Sequence, residues 1–317
     1  MLRETFIFLS KNPVARGFVR HAPFSKTVSR RFVSGETLDD AVRAVRVLND
    51  RGLSASLDYL GESVTSKEEA RAASDTYIAM LERIAAEKLN ANVSIKLTQM
   101  GQDFDPDFMV GNVARILEKA RDLGNFVRVD MEDSEHTQIT LDYLRDVWNQ
   151  GFRNVGAVIQ AALYRSESDI AMLNSLGMRV RLCKGAYNEP ATIAFPDKAD
   201  VDANYIRLMK MLLTDGNYPG IATHDPAMIR ATMEFARERG IPNTAFEFQM
   251  LYGIRRDLQE EIVKQGYNMR IYVPFGEAWY PYFMRRLAER PANVVFLVGN
   301  IIRESPLGGL FGANGKH

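Results

Sequence analysis

Eight short apolar runs alternate with segments of helical length from residue 53 onward, and this rhythm constrains the fold most strongly. The runs are rich in β-branched and aromatic residues and cover 53–61, 92–98, 126–132, 155–161, 178–186, 220–225, 245–251 and 268–276. The helical segments between them include 66–89, 107–123, 137–149 and 200–213. Eight strand–helix units without a long structureless insert predict an α/β fold of the (β/α)8 TIM-like barrel type. A doubly wound open sheet is the alternative, although it does not ordinarily need eight such regular units.

Glycines mark the ends of the helical segments. Six of them stand where a C-cap glycine belongs, namely Gly124, Gly151, Gly177, Gly216, Gly240 and Gly266. Pro274 and Gly276 separate the last strand from a final helical segment, so we expect the chain to change direction there. We divide the chain into a basic helical N-terminal arm (1–35), a barrel domain (36–305) and a flexible glycine-rich tail (306–317).

Charge and cysteine content exclude several classes of protein. The 317 residues contain 40 Lys plus Arg and 40 Asp plus Glu, so no global charge indicates a nucleic-acid partner. The single cysteine, Cys183, excludes an intrachain disulfide and a multi-cysteine metal cluster, and the four histidines are too scattered to predict a metal site. No apolar run approaches the roughly 20 residues of a membrane-spanning helix. No Gly-x-Gly-x-x-Gly motif indicates a Rossmann dinucleotide site.

The first 33 residues carry seven basic side chains against one acidic side chain. An arginine-rich, acid-poor start is typical of a transit peptide. It is equally typical of a basic helical arm that packs on the domain or contacts anionic lipid. The residues alone do not choose between these interpretations.

Side-chain alternation along the strand candidates predicts a polar barrel interior. In residues 92–98, Val93, Ile95 and Leu97 share one face and Lys96 lies on the other. The apolar faces must meet the surrounding helices, so the polar faces point toward the barrel axis. The inward set is Asp58, Lys96, Arg128, Asp130, Gln160, Arg181, His224, Glu247, Gln249, Arg270 and Tyr272.

Buried ionisable groups are unfavourable unless they pair with one another or bind a ligand. Arg128 with Glu247, and Arg270 with Asp58, are candidate structural pairs deep in the barrel. Barrel enzymes place their sites at the carboxyl ends of the strands. The polar residues nearest those ends form the candidate site: Lys96, Asp130, Gln160, Arg181, Lys184, His224 and Tyr272. Basic groups outnumber acidic ones there, so an anionic ligand is expected.

The final helical segment carries two adjacent arginines within the stretch EAWYPYFMRRL, residues 277–287. At helical spacing, Tyr282, Arg285, Arg286 and Glu289 share one polar face, and apolar residues occupy the opposite side. Most polar helix faces of this kind are solvated protein surface. A ligand site is the alternative.

Six motifs occur in a fixed order: SIKLT, RLCKGAY, ATHD, FEFQMLYG, RIYVPFG and YFMRRLAER. Together with RFVSGET at residues 31–37, they resemble the FAD-dependent proline dehydrogenases, in particular the monofunctional bacterial type, over roughly residues 30–300. The resemblance implies a distorted (β/α)8 barrel whose last helix lies over the barrel mouth. It also implies a flavoprotein oxidoreductase that oxidises L-proline to Δ1-pyrroline-5-carboxylate by hydride transfer to FAD, the first step of proline catabolism.

The same resemblance implies where the electrons go. In this family the usual acceptor is a membrane quinone, so a cytoplasmic protein of this kind is expected to contact the inner face of the membrane peripherally. The basic N-terminal arm is the expected element for that contact. No nucleic-acid partner and no metal are implied.

Residues of the family's site match positions of this chain. The implied catalytic residues are Asp130 and Arg181. The implied substrate-binding residues are Lys96, Leu251, Tyr272, Tyr282, Arg285 and Arg286. The implied cofactor-binding residues are Met131, Gln160, Arg181, Lys184, Gly185, Ala186, Tyr187, Thr223, His224, Arg286 and Glu289.

Chemistry suggests a role for the charged members of this set. Arg285, Arg286 and Lys96 would hold the proline carboxylate, because guanidinium forks and an ammonium supply both charge and orientation. Arg181 would stabilise negative charge on the reduced flavin. Asp130 is either the base that takes the amine proton or a residue that orients Lys96 or Arg181.

Two other functions fit the same inward side chains. A Schiff-base aldolase would use Lys96 or Lys184. A non-enzymatic anion-binding barrel would hold its ligand without turnover. The aldolase predicts a colourless protein, whereas the flavoprotein predicts a yellow one that proline bleaches.

Overall fold

The computed structural model of the protein describes residues 31–289, and it describes side chains as far as residue 284. Eight parallel strands close into a barrel in chain order, with the eighth strand paired to the first. The strands are β1 (Ser54–Tyr59), β2 (Ala91–Ile95), β3 (Val127–Val129), β4 (Val155–Gln160), β5 (Arg179–Cys183), β6 (Gly220–Ala222), β7 (Glu247–Leu251) and β8 (Asn268–Phe275). The closed ring confirms the predicted barrel and excludes the open sheet.

Helices alternate with the strands: α1 (Leu38–Asn49), α2 (Lys67–Ala86), α3 (Pro106–Asp122), α4 (Ser134–Asn149), α5 (Ser166–Leu176), α6 (Lys198–Asp215), α7 (Pro226–Glu238), α8 (Arg256–Lys264) and α9 (Trp279–Glu289). Thr37 and Asp40 form a capping box at the start of α1, and Ser66 caps α2. Asp105 and Asp133 accept hydrogen bonds from the first turns of α3 and α4. These side chains satisfy backbone donors that a helix start leaves unpaired, so several helix starts are encoded locally.

Five of the six glycines predicted to end helices have positive φ, from 64° to 98°: Gly124, Gly151, Gly177, Gly240 and Gly266. Gly216 differs, because it is extended with φ −85°. A Cβ at Gly216 would lie 2.4 Å from the carbonyl oxygen of Leu212. Lack of space, and not a left-handed backbone, therefore requires glycine at that helix end.

The apolar faces of the strands pack against the helices in one core, as side-chain alternation predicted. Val93, Val127, Phe248 and Ile271 are fully buried in this core. Tyr77 of α2 is an equally buried partner from the helix layer. The opposite, polar faces of the same strands line the barrel axis.

The buried ion pairs differ from the two that the sequence suggested. Nε of Arg270 donates a hydrogen bond of 2.7 Å to Oε1 of Glu247, and Nζ of Lys96 donates one of 2.8 Å to Oδ1 of Asp58. Strand register explains the difference. Asp58 is paired in register with Pro274, which lies beyond Arg270 along β8, so Asp58 and Arg270 occupy different layers of the barrel.

Arg128 bonds to the backbone instead of to a carboxylate. Its Nη1 donates to the carbonyl oxygens of Ala157 at 3.0 Å and Arg179 at 2.7 Å. A Cβ at Gly156 would lie 2.7 Å from the same nitrogen, so the glycine makes room for the guanidinium. The suggested pair of Arg128 with Glu247 is therefore wrong as a hydrogen-bonded pair.

Helix α9 lies over the carboxyl ends of β1 and β7, as the resemblance implied. Tyr280 and Phe283 of this helix are buried in a cluster with Leu60, which follows β1, and Ile254, which follows β7. Gly276, with φ 124°, precedes the helix where a change of direction was expected. The apolar side of α9 thus closes over the barrel mouth.

The predicted N-terminal arm lies outside the described residues apart from 31–35, and the predicted tail lies wholly outside them. Phe32 and Val33 are buried in the same cluster as α9, so the described end of the arm packs at the barrel mouth. Among the described residues, no helix combines the length and the apolar character that crossing a membrane requires.

Candidate active site

The residues of the candidate site lie at the carboxyl ends of their strands. Lys96 and Asp130 directly follow β2 and β3, and Gln160 is the last residue of β4. Lys184 directly follows β5, and His224 lies shortly after β6. Because the strands are parallel and the barrel is closed, these ends surround one opening.

Asp130 lies at the centre of the polar cluster. Its Oδ1 accepts a hydrogen bond of 2.7 Å from Nη1 of Arg181, and its Oδ2 accepts one of 2.6 Å from the hydroxyl of Tyr272. Nζ of Lys96 lies 3.9 Å from the same Oδ2. Both carboxylate oxygens are therefore engaged in orienting neighbouring side chains.

Arg181 is buried and fixed in three directions. Besides its bond to Asp130, it donates through Nη2 to Oγ of Ser94 at 3.2 Å and through Nε to Oε1 of Gln249. Its guanidinium carbon lies 5.3 Å from the centre of the Tyr272 ring. The planar cation is thus oriented before any ligand arrives.

Lys96 keeps its positive charge in a buried position. Its Nζ donates to Oδ1 of Asp58 at 2.8 Å and to the hydroxyl of Tyr272 at 3.4 Å. Burial lowers the pKa of Lys96, but the carboxylates of Asp58 and Asp130 outweigh burial and raise it well above its ordinary value. A charged lysine is suited to binding an anion and poorly suited to attacking a carbonyl group.

Tyr272 remains a neutral phenol. Burial, and then the carboxylates of Asp130 and Asp58, raise its pKa well above the ordinary tyrosine value. Burial also raises the pKa of Asp58, an effect that Lys96 opposes but does not cancel. Tyr272 therefore acts as the hydrogen-bond donor in its contact with Asp130.

A lower layer of polar side chains supports Arg181. Nε2 of Gln249 donates to Oε1 of Glu247 at 2.6 Å, and the same oxygen accepts from Arg270. A Cβ at Gly220 would lie 2.4 Å from Nε2 of Gln249, so glycine is needed there for space. Alternation predicted that the polar members of this layer point inward, but no local signal revealed the role of Gly220.

Three of the predicted cofactor residues lie at the carboxyl ends of β3, β4 and β5. Gln160 donates through Nε2 to the carbonyl oxygen of Glu132 at 2.7 Å, and Met131 is buried in the core. Gly185 has φ 114°, and a Cβ there would lie 3.1 Å from Cβ of Ala162. Both the backbone conformation and the close packing therefore favour glycine. The next two predicted residues, Ala186 and Tyr187, are exposed.

Lys184 is held between two carboxylates that sequence reasoning missed. Its Nζ lies 2.8 Å from Oδ2 of Asp225 and 2.5 Å from Oδ1 of Asp202. Asp225 also accepts a hydrogen bond from Ala227 at the start of α7. The ATHD motif contains Asp225, but only the fold brings Asp202 of α6 to the same lysine.

His224 connects β6 with β7. Its Nε2 accepts a hydrogen bond of 2.9 Å from the backbone N–H of Leu251. Oγ1 of Thr223 accepts one of 3.0 Å from the backbone N–H of Asp225, which shapes the entry into α7. The structure thus places Thr223, His224 and Leu251 at adjoining strand ends, as predicted.

The last helix carries the remaining predicted residues. Tyr282 is buried, and Leu251 packs against the cluster that contains it. Arg285, Arg286 and Glu289 lie on α9, but their side chains are outside the described residues. The structure therefore brings their helix to the barrel mouth and leaves the roles of the three side chains as predictions.

Comparison with known proteins gives a consistent result. The family model described as "Proline dehydrogenase" matches residues 41–298. The chain is 45% identical over 294 residues to proline dehydrogenase 2 of Bacillus subtilis (strain 168), a match that covers 93% of this chain and 96% of that protein. It is 41% identical over 307 residues to the proline dehydrogenase of Deinococcus radiodurans, covering 96% of this chain and 98% of that protein.

Solved structures show the same fold. The crystal structure of proline utilization A from Bdellovibrio bacteriovorus inactivated by N-propargylglycine matches with a TM-score of 0.81 and 26% identity. That match covers 100% of this chain and 40% of the other, so the present chain corresponds to less than half of that longer protein.

Proposed function

The chain belongs to the proline dehydrogenase family of oxidoreductases, and we propose that it oxidises L-proline to Δ1-pyrroline-5-carboxylate with FAD as hydride acceptor. This reaction would be the first step of proline catabolism. The observation that carries the proposal is the cluster of Lys96, Asp130, Arg181 and Tyr272 at a barrel mouth covered by α9. Removal of a hydride from C5 and a proton from nitrogen turns the ring amine into an imine, so two electrons leave each proline.

We assign the proline carboxylate to Lys96, Arg285 and Arg286. The raised pKa of Lys96 keeps its ammonium charged. Two guanidinium groups from α9 add directional hydrogen bonds, which a lone ammonium does not supply. The ring would be enclosed by Leu251, Tyr272 and Tyr282. Such positioning holds C5 in one orientation, which contributes much of the rate of a hydride transfer.

We assign Asp130 an orienting role. Oδ1 accepts a hydrogen bond from Arg181 and Oδ2 accepts one from Tyr272, so both oxygens hold neighbouring side chains in place, which favours orientation over proton abstraction. Solvent then takes the amine proton. Asp130 contributes by holding the guanidinium and the phenol in fixed positions.

The carboxyl ends of β3 to β6 fit FAD in their chemistry. Gly185, with φ 114°, lets the backbone approach a bound group closely, and Gln160 and Lys184 flank it with polar groups. FAD, when bound, supplies the hydride acceptor. Arg181 would stabilise the negative charge that hydride transfer adds. The other assigned contacts are Met131, Ala186, Tyr187, Thr223, His224, Arg286 and Glu289.

The absorption spectrum of the purified full-length protein tests the cofactor and the substrate together. We expect the visible bands of an oxidised flavin, and we expect anaerobic L-proline to bleach them. A colourless protein that borohydride traps covalently with a carbonyl substrate would support the Schiff-base aldolase. A flavin-free protein that binds proline without turnover would support the anion-binding barrel.

Substitutions on α9 test the assignment of the carboxylate. Arg285→Met and Arg286→Met should each raise KM for proline by about tenfold or more, because each removes a charge-assisted hydrogen bond. Arg145→Met is the matched control, since Arg145 is a half-exposed arginine of α4 that pairs with Asp142. Unchanged KM in both α9 variants would remove these arginines from the substrate site.

We further propose that a membrane quinone accepts the electrons and that residues 1–35 provide the contact with the inner face of the cytoplasmic membrane. The support is the excess of basic residues in the first 33 positions. Deleting residues 1–30 should weaken binding to anionic vesicles and leave proline-to-dye activity intact. Equal vesicle binding by the full-length and shortened proteins would reject this role for the arm.

A further inference from the structure

A cavity lies at the amino-terminal end of the barrel, opposite the candidate active site. It has a volume of about 410 Å³, and its lining includes residues from the starts of β2, β3, β5 and β7. Asn92, Arg128, Arg179, Tyr218 and Phe126 are among the lining residues. Pockets that hold small molecules commonly measure about 300 to 1,000 Å³, so the volume suits a small ligand.

The charge of this cavity is strongly one-sided. Four basic residues line it, Lys88, Arg128, Arg179 and Arg270, against one acidic residue, Glu247. The glutamate is already bonded to Arg270 at 2.7 Å. The formal balance of four positive charges and one negative charge, +3, favours an anion.

Arg128 provides an independent indication that the cavity suits an anion. It is 4% exposed, and within the described part of the chain its Nε has no hydrogen-bond partner. Its Nη1 bonds only to backbone carbonyls, so no carboxylate hydrogen-bonds to this guanidinium within residues 31–284. Burial, and then the nearby cations Arg181 and Arg270, lower the pKa of Arg128 well below its usual value. A buried positive charge without a hydrogen-bonded carboxylate is unfavourable, and an anion in the cavity would offset that charge.

Aromatic rings support the arginines from the side. The guanidinium carbon of Arg128 lies 4.9 Å from the centre of the Phe126 ring, and that of Arg179 lies 5.3 Å from the same centre. Arg179 also lies 5.2 Å from the centre of the Tyr218 ring, and within the described residues it has no carboxylate partner. Leu123 adds an apolar wall. Arg128, which backbone carbonyls hold in place, and the exposed Arg179 both lie beside apolar surface, which suits a ligand that has a carboxylate and a carbon skeleton.

We propose that this cavity is a binding site for a small organic carboxylate, distinct from the active site. Barrel enzymes carry out their chemistry at the carboxyl ends of the strands, so a ligand at the amino-terminal end would not be a substrate. Arg128 would contribute its buried positive charge, and the exposed Arg179 would supply a guanidinium that hydrogen-bonds to the carboxylate. The inference does not depend on the reaction proposed above.

Isothermal titration of the full-length, flavin-loaded protein with succinate tests the site, with sodium chloride at matched ionic strength as reference. Carboxylates can also enter the active site, so the variants must separate the two locations. Arg179→Gln should weaken succinate binding about tenfold, because one charged hydrogen-bond donor is lost. Arg285→Met should leave this binding event in place.

The matched control is Arg71→Gln. Arg71 also lies over an aromatic ring, that of Phe108 at 5.1 Å. It is near the start of α2, whereas the α2 residues that line the cavity, Ile84 and Ala85, are at the end of that helix. This variant should bind succinate as the unmodified protein does. A second cavity variant, Leu123→Glu, adds a carboxylate to the lining and should also weaken binding, which keeps the test valid if Arg179→Gln is unstable.

Three outcomes would overturn the proposal. One is the absence of any succinate binding beyond that seen with chloride. Another is binding that Arg285→Met abolishes and Arg179→Gln leaves unchanged, which would place the carboxylate in the active site alone. The third is inorganic phosphate binding as tightly as succinate, which would show a general oxyanion site without a preference for carboxylates.

Discussion

Arg181 donates a hydrogen bond of 2.7 Å through Nη1 to Oδ1 of Asp130, and both side chains are buried inside the barrel. The carboxylate fixes the guanidinium from one side, while Gln249 and Ser94 fix it from two others. This pair supports the orienting role that we propose for Asp130, because the bond to Arg181 fixes one side of the carboxylate.

Asp130→Asn separates these roles. If Asp130 orients Arg181, kcat/KM should fall by about tenfold, because the variant weakens one charge-assisted hydrogen bond. The pH profile of kcat/KM should then keep its acidic limb. Loss of a general base should instead cost about 10² to 10⁴-fold and remove that limb. The measurement is kcat/KM for proline against pH, and the second pattern would contradict our assignment.

Tyr272→Phe should destabilise the protein and weaken proline binding. The substitution removes a bond of 2.6 Å to Asp130 and one of 3.4 Å from Lys96, so the free energy of unfolding should fall by about 1 to 3 kcal/mol. Tyr143→Phe is the control, because the buried Tyr143 hydroxyl has no hydrogen-bond partner within the described residues. Denaturant unfolding should leave the control unchanged or slightly stabilised. An equal decrease in the free energy of unfolding in both variants would mean that the Tyr272 hydrogen bonds do not contribute to stability.

Gly253→Ala should be far more destabilising than Gly124→Ala. The two glycines have similar φ, 75° and 64°, so the conformational penalty of about 1 kcal/mol is shared. A Cβ at Gly253 would lie 1.6 Å from the carbonyl oxygen of Arg31, whereas one at Gly124 would meet nothing within 4 Å. Thermal unfolding should show a large fall in Tm for the first variant only. Similar Tm values would place residue 31 away from Gly253 in solution.

His136 should make stability depend on pH. Partial burial lowers its pKa, but hydrogen bonds to Asp133 at 2.5 Å and Asp103 at 2.9 Å outweigh burial and raise it. A histidine whose pKa is higher in the folded state than in the unfolded state stabilises the fold when it is protonated. This stabilisation is complete below the unfolded pKa of about 6.5 and disappears as pH rises through the folded pKa. The site is largely solvated, so the expected gain is at most about 1 kcal/mol.

His136→Gln provides the comparison for this effect. The difference in the free energy of unfolding between the unmodified protein and the variant should be largest near pH 6 and should shrink toward about pH 9. Urea unfolding at several pH values measures that difference. A constant difference across the range would mean that the histidine is not titrating between its two carboxylate partners.

The barrel was predictable from the sequence because its signal is local and repeated. Alternation in residues 92–98 separates Val93 and Ile95 from Lys96, and the closed barrel buries the first two in the helix-facing core. The same reasoning correctly turned Asp130 and Arg181 inward, and the structure joins them. Period-two patterning therefore predicted which side chains of the strands point inward, and the repeated strand–helix units predicted the barrel.

The interaction partners of the inward side chains were less predictable, because they depend on strand register and on segments that are distant in sequence. The sequence could not show that Asp58 lies four residues beyond the level of Arg270, because Arg270 pairs in register with Ser54 where β1 and β8 close the barrel. Nor could it show that Asp202, on a helix after Lys184, would return to that lysine. The spatial need for glycine at position 220 depends on Gln249 of another strand.

Hydrogen bonds run without interruption along the barrel axis, through Lys96, Tyr272, Asp130, Arg181, Gln249, Glu247 and Arg270. A single inward replacement leaves a neighbour in the next layer unsatisfied, so such a change lowers stability unless that neighbour changes with it. Within residues 31–284, no side chain of that axial column belongs to α9, so redesign of substrate preference is better directed at this helix than at the barrel lining itself.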